Sequence, residues 1–152
     1  MEINGLPVHA LVVHAAVVFG PLSALAGVLY AAVPKWRDTI RWPMVALAAV
    51  ALLAIWVAYL SGEDVKEANP LNYANDPLAG LLETHEERAN ILRFSMTGFA
   101  VVAFVAAWLH TRTGPTRIAL GAGVGALGVL TLVYAVLTGD AGAQIAWYGT
   151  KA

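Results

Sequence analysis

Any chemistry this 152-residue chain performs falls to its four histidines and the acids and arginines near them. His9 and His14 stand five residues apart near the start. His85 belongs to the run Leu82-Glu83-Thr84-His85-Glu86-Glu87-Arg88-Ala89-Asn90-Ile91-Leu92-Arg93, a dense polar stretch that flows directly into a long apolar segment. The fourth, His110, stands beside Arg112. There is no cysteine, which removes disulfides, thiolate zinc sites, iron–sulfur clusters and covalent haem attachment. A metal or haem iron would therefore rest on His, carboxylate, Met or Tyr. No P-loop, nucleophile elbow or dinucleotide fingerprint is present. His85-Glu86-Glu87-Arg88-Ala89 begins like a zinc-protease helix, but Ala89 stands where the second histidine is needed. An independent enzyme is not the expectation.

Imidazole suits haem iron or a transition-metal ion, and two arrangements follow. In the first, His14 and His85 face each other across a helical bundle as axial ligands of haem b, with Arg88 or Arg93 near a propionate. In the second, His14, His85, Glu63 and Asp140, with His9 as a further candidate, surround one Zn, Fe or Cu ion. Beside both stands a neutral structural histidine, bonded to Asn90 or a backbone carbonyl, in a cofactor-free membrane anchor or structural subunit. His9 and His14 project about 140° apart on an ideal helix, so they cannot both centre one narrow face. Arg93 keeps its charge, and burial in a membrane demands a partner. The expected one is a carboxylate of another helix, Glu63 or Asp140 rather than Glu86. His110 reads as an interface residue.

The elements that must position these groups are membrane spans. The chain is 59% hydrophobic and 12% charged, against roughly 25% charge in soluble domains. Apolar runs predict spans over 8–33, 44–60, 89–109 and 118–137, with a polar loop over 61–87. The first run is longer than a signal-peptide core and follows no basic segment, so it reads as a retained span. Asn4-Gly5-Leu6-Pro7 reads as a turn and helix start, and Asn69-Pro70 and Asp76-Pro77 as turns. The fold expected is an all-α, integral-membrane four-helix bundle in a single domain. The first loop carries Lys35, Arg37 and Arg41 and the third Arg112 and Arg117, whereas the middle loop is acidic. Positive loops stay in the cytoplasm, so the termini and the middle loop face outward. That end gathers His9, His14, Glu63, His85, Arg93 and Asp140. Gly121 and Gly125 form a G-x-x-x-G pair, read as helix packing or as room for a flat cofactor. The net charge of −1 gives no reason to expect nucleic acid.

Taken together, Asn4-Gly5-Leu6-Pro7-Val8-His9 with Leu11-Val12-Val13-His14, then Gly62-Glu63, the His85 helix, and Gly139-Asp140-Ala141-Gly142-Ala143 with Trp147 resemble the domain of unknown function 2231 family. The resemblance covers essentially the whole chain and implies a small bacterial four-span protein of the plasma membrane. The prolines that often follow each first-helix histidine in that family are Ala10 and Ala15 here. Asp140 stands where members carry His or Asp, which weakens a fourth-helix haem ligand and is neutral for a metal. Members resemble, and are sometimes joined to, redox domains of Rieske or cytochrome type. The resemblance thus implies a membrane redox or electron-transfer component with an outward-facing histidine site. Its partners would be membrane lipid, a redox protein on the outer face and further copies of the chain.

Overall fold

The computed structural model describes residues 2–3, 6–68 and 78–148. The protein is an all-α membrane bundle of four helices: α1 (Val8–Ala32), α2 (Arg37–Ala68), α3 (Leu78–Trp108) and α4 (Pro115–Ala146). Each is long and apolar enough to cross a membrane. Ahead of α1, β1 (Glu2–Ile3) pairs with β2 (Leu6–Pro7) in a short antiparallel ribbon. Strands of two residues carry no readable periodicity, so the sequence gives no sign of them. The turns expected at Asn4-Gly5, Asn69-Pro70 and Asp76-Pro77 lie outside the described residues.

Local chemistry fixes the helix ends. Pro7 immediately precedes α1. Pro34 disfavours helical backbone at Val33, and a 3-10 turn over Pro34–Trp36 leads into α2. Between α3 and α4, Gly114 adopts φ 69°, a left-handed backbone that glycine takes without a Cβ penalty. Pro115 then opens α4, where its missing N–H leaves no helical bond unmade.

Three helices exceed the expected apolar spans, α4 by running on from Leu137 to Ala146. α2 continues through Ser61-Gly62-Glu63 to Ala68, and α3 already starts at Leu78. Much of the segment expected as a loop over 61–87 is therefore helical. Polarity marks where a chain leaves hydrocarbon, but an α-helix satisfies its own backbone in water as well. At 32 residues, α2 is about 48 Å long, against roughly 30 Å of hydrocarbon.

The helices form a ring in which α1 and α3 are diagonal and each touches α2 and α4. Two hairpins, α1–α2 and α3–α4, stand side by side. One end of the bundle carries the start of α1 and α3 and the end of α2 and α4; we call it the terminal end. The other, the loop end, carries the two tight connections.

The interior is made of small and compact side chains. Ala24, Ala48, Ala51 and Ala103 are buried around Met44, Met96, Phe99 and Val124. The large aliphatic and aromatic side chains point outward, with Leu53 at 68%, Phe94 at 58% and Val136 at 61% exposure. Lipid is as apolar as leucine, so burying leucine between helices gains little; close backbone approach gains contact instead. A Cβ on Gly125 would meet that of Ala31 at 3.0 Å, and one on Gly128 would meet the Ala24 carbonyl oxygen at 3.1 Å. The α4 glycines thus bring α1 and α4 together. Lower down, the ring of Phe99 lies against Gly27 and Gly128.

Candidate functional site

The terminal end holds a matched pair of histidines. His9, in the first turn of α1, has Nδ1 2.8 Å from the carbonyl oxygen of Ala58 on α2. His85, in the overhang of α3, has Nδ1 3.1 Å from the carbonyl oxygen of Thr138 on α4. A carbonyl oxygen only accepts, so each Nδ1 carries the proton and donates it. In the neutral ring the lone pair is then on Nε2.

A glycine underlies each ring. Gly62 follows Ala58 by four residues, and a Cβ there would lie 3.3 Å from the His9 ring. Gly142 follows Thr138 by four residues, and a Cβ there would lie 3.1 Å from Cε1 of His85. One helical turn separates acceptor from glycine in both cases, so both lie on the same face of their helix. The two hairpins therefore use one device twice: a histidine of the first helix bonds the carbonyl one turn before a glycine of the second. His9 and His85 belong to the two helices that start at this end.

The bond from α1 to a neighbouring helix is made by His9 and not by His14. His14 is exposed, and its Nδ1 lies 2.7 Å from the Ala10 carbonyl oxygen on its own helix. The approximate 140° offset between His9 and His14 decides which one faces a neighbouring helix, and α2 receives His9. Glu63 is exposed. Asp140 is exposed too, accepting from Gln144 Nε2 at 2.8 Å and lying 4.0 Å from Arg88 Nη1. Arg88 also donates to the Leu137 carbonyl at 3.0 Å. Among the described residues, no three His, Asp or Glu side chains converge as the expected four-ligand set would.

Arg93 differs from expectation in its partner. Its Nε donates to Asn90 Oδ1 at 2.7 Å, and its guanidinium stacks 3.8 Å from the Tyr59 ring centre, 4.6 Å from Phe94 and 5.1 Å from Trp56. Aromatic faces and an amide oxygen take the place of the expected carboxylate. The negative face of an aromatic ring attracts a cation without adding an anion that must itself be desolvated. Trp56 is held in turn by a 3.0 Å bond from Nε1 to Thr97 Oγ1. A cross-helix ion pair does occur nearby, Lys66 Nζ to Glu86 at 2.6 Å, tying the overhangs of α2 and α3. His110, at the loop end, lies 3.4 Å from Asp38.

The acceptor carbonyls and the two underlying glycines escape a reading of side-chain types. Their signal is positional: a histidine opens the first and third polar-to-apolar transitions, and a glycine closes the second and fourth.

The chain belongs to the family described as "Predicted membrane protein (DUF2231)", whose model matches residues 5–150. No curated protein and no solved structure matches it.

Proposed function

We propose that this member of the family is a metal-carrying redox subunit of the bacterial plasma membrane, with the terminal end outward and a transition-metal ion held between His9 and His85. The observation that supports this reading is the engagement of both Nδ1 groups with backbone carbonyls. Histidines that bind metals commonly donate their other ring nitrogen in this way, which fixes the tautomer and aims the ligand. Imidazole nitrogen suits Zn, Cu, Fe and Ni. Two nitrogens leave coordination positions for water or for a group of an external partner. A bound Cu or Fe would supply one-electron chemistry at the membrane surface.

A haem b is expected to take His14 and His85, but His14 Nδ1 is bonded to the Ala10 carbonyl of its own helix rather than to a neighbouring one. The ion is therefore preferred over the porphyrin. This reading does not call on Arg93, whose guanidinium meets the rings of Tyr59, Phe94 and Trp56.

A second reading is a cofactor-free anchor in which the histidines only staple helices; the same Nδ1–carbonyl bonds favour it. Asparagine separates the two, since its side-chain N–H can replace Nδ1 but it offers no Nε2. Protein purified from metal-replete cells should carry a stoichiometric transition metal, lost in His9→Asn and His85→Asn and kept in His14→Asn. Metal-free wild-type protein would leave the staple reading in place.

A further inference from the structure

We propose that the loop end holds one anionic phospholipid in a furrow between α1 and α4, its phosphate on Arg37 and Arg117 and an acyl chain leaving over Ile118 and Ala122 on α4. The furrow is a cavity of about 580 Å³ bounded by both arginines, Ile118, Gly121, Ala122 and Gly125.

Its mouth is cationic. The loop end carries Lys35, Arg37, Arg41, Arg112 and Arg117. Asp38, the carboxylate there, is engaged with Arg41 at 3.3 Å and faces His110 at 3.4 Å. Among the described residues neither Arg37 nor Arg117 has a carboxylate partner. Arg37 is fixed in place: Nε donates to the Tyr30 carbonyl at 2.8 Å and Nη2 to that of Ala31 at 3.0 Å. Its guanidinium also lies over Gly121, whose Cβ position would be 3.3 Å from Nη2. Guanidinium has five N–H donors, so these two bonds leave further donors for a phosphate oxygen. Arg117, one turn before Gly121 on α4, is exposed.

The rest of the furrow is apolar and opens on the lipid-facing surface, where Ile118 is 71% exposed. The cavity ends where Gly125 closes on Ala31, and Ile118 and Ala122, one turn apart on the exposed side of α4, lead from it into the hydrocarbon. A cationic mouth above an apolar channel complements an amphiphile with an acidic head. A soluble anion would use only the mouth. Basic pockets between spanning helices hold acidic head groups in this way.

The test is thermal unfolding and lipid titration of the full chain in a neutral detergent. The probes are dioleoyl phosphatidylglycerol, dioleoyl phosphatidylcholine and inorganic phosphate. Phosphatidylglycerol should raise the Tm saturably, and phosphatidylcholine and phosphate should not. Arg117→Gln should weaken the apparent affinity about fivefold, and Ala122→Phe, which fills the furrow from its exposed side, should abolish saturation. Arg112→Gln, at the same end but outside the furrow, should bind as wild type. Equal shifts with both lipids would overturn the proposal, as would equal loss in Arg112→Gln and Arg117→Gln. A shift reproduced by phosphate alone would replace the lipid with a soluble anion, and so overturn it too.

Discussion

Gly27 of α1 and Phe99 of α3 share one slot at the middle of the bundle: a Cβ on Gly27 would lie 2.7 Å from Cζ of the ring. Phe99 is fully buried. The diagonal helices meet through this contact.

Gly27→Ala should therefore destabilise the bundle by about 1–3 kcal/mol, the usual cost of overfilling a tight interior. Pairing it with Phe99→Leu should recover part of that loss, because the smaller side chain vacates the contested space. Thermal unfolding in detergent measures both. Additive losses in the double variant would mean that the two residues do not compete.

The rings of His9 and His85 rest close above Gly62 and Gly142. Adding a methyl at Gly142 should push His85 off the Thr138 carbonyl and cost about 1 kcal/mol, together with any bound metal. Gly139→Ala is the control, since a Cβ there meets nothing within 4 Å. Helix propensity alone would favour alanine at both positions. Equal behaviour of the two variants would show that the His85 ring is not seated as described.

Arg93 should depend on its aromatic neighbours rather than on an acid. A double-mutant cycle of Arg93→Met and Tyr59→Leu should give a coupling of about 1 kcal/mol. The same cycle with Glu63→Gln should give none. A large coupling to Glu63 would restore the carboxylate partnership inferred from sequence.

Orientation can be read by labelling. A single cysteine at Glu67, exposed at the terminal end, should react with an impermeant thiol reagent in intact cells. One at Thr113, exposed at the loop end, should react only after lysis. The opposite pattern would put the histidine pair in the cytoplasm.

Much of the fold was legible because hydrocarbon imposes one requirement on every residue it touches. Apolar runs identified all four helices, and for α1 they reached within a residue of its end at Ala32. They fell short for α2, α3 and α4, where helix continues beyond the apolar run and composition no longer reports conformation. The site was legible only in part. The sequence marked the terminal end as the place where His, Arg and acidic residues gather. It favoured His14 because a histidine deeper in a span is costlier to leave idle. Which ring meets a neighbouring helix depends on rotation about the α1 axis, which an apolar sequence with no polar face leaves undetermined. The aromatic box around Arg93 was hidden for a related reason. Trp56 and Tyr59 stand near the far end of an Ala/Val/Leu run, and nothing in their spacing reveals a cation arriving from α3.

The repeated histidine–carbonyl bond also bears on how the chain enters a membrane. Each bond closes within a hairpin, α1 to α2 or α3 to α4, so the polar ring is satisfied before the other hairpin is needed. The first hairpin is complete in sequence by Ala68, ahead of α3. During synthesis it can leave the insertion machinery as a sealed pair, with His9 already shielded from lipid. The second hairpin then follows as a like unit, and the glycine face of α4 joins it to α1. Biogenesis thus reduces to inserting two similar modules and docking them, rather than holding four separate helices until the last is made.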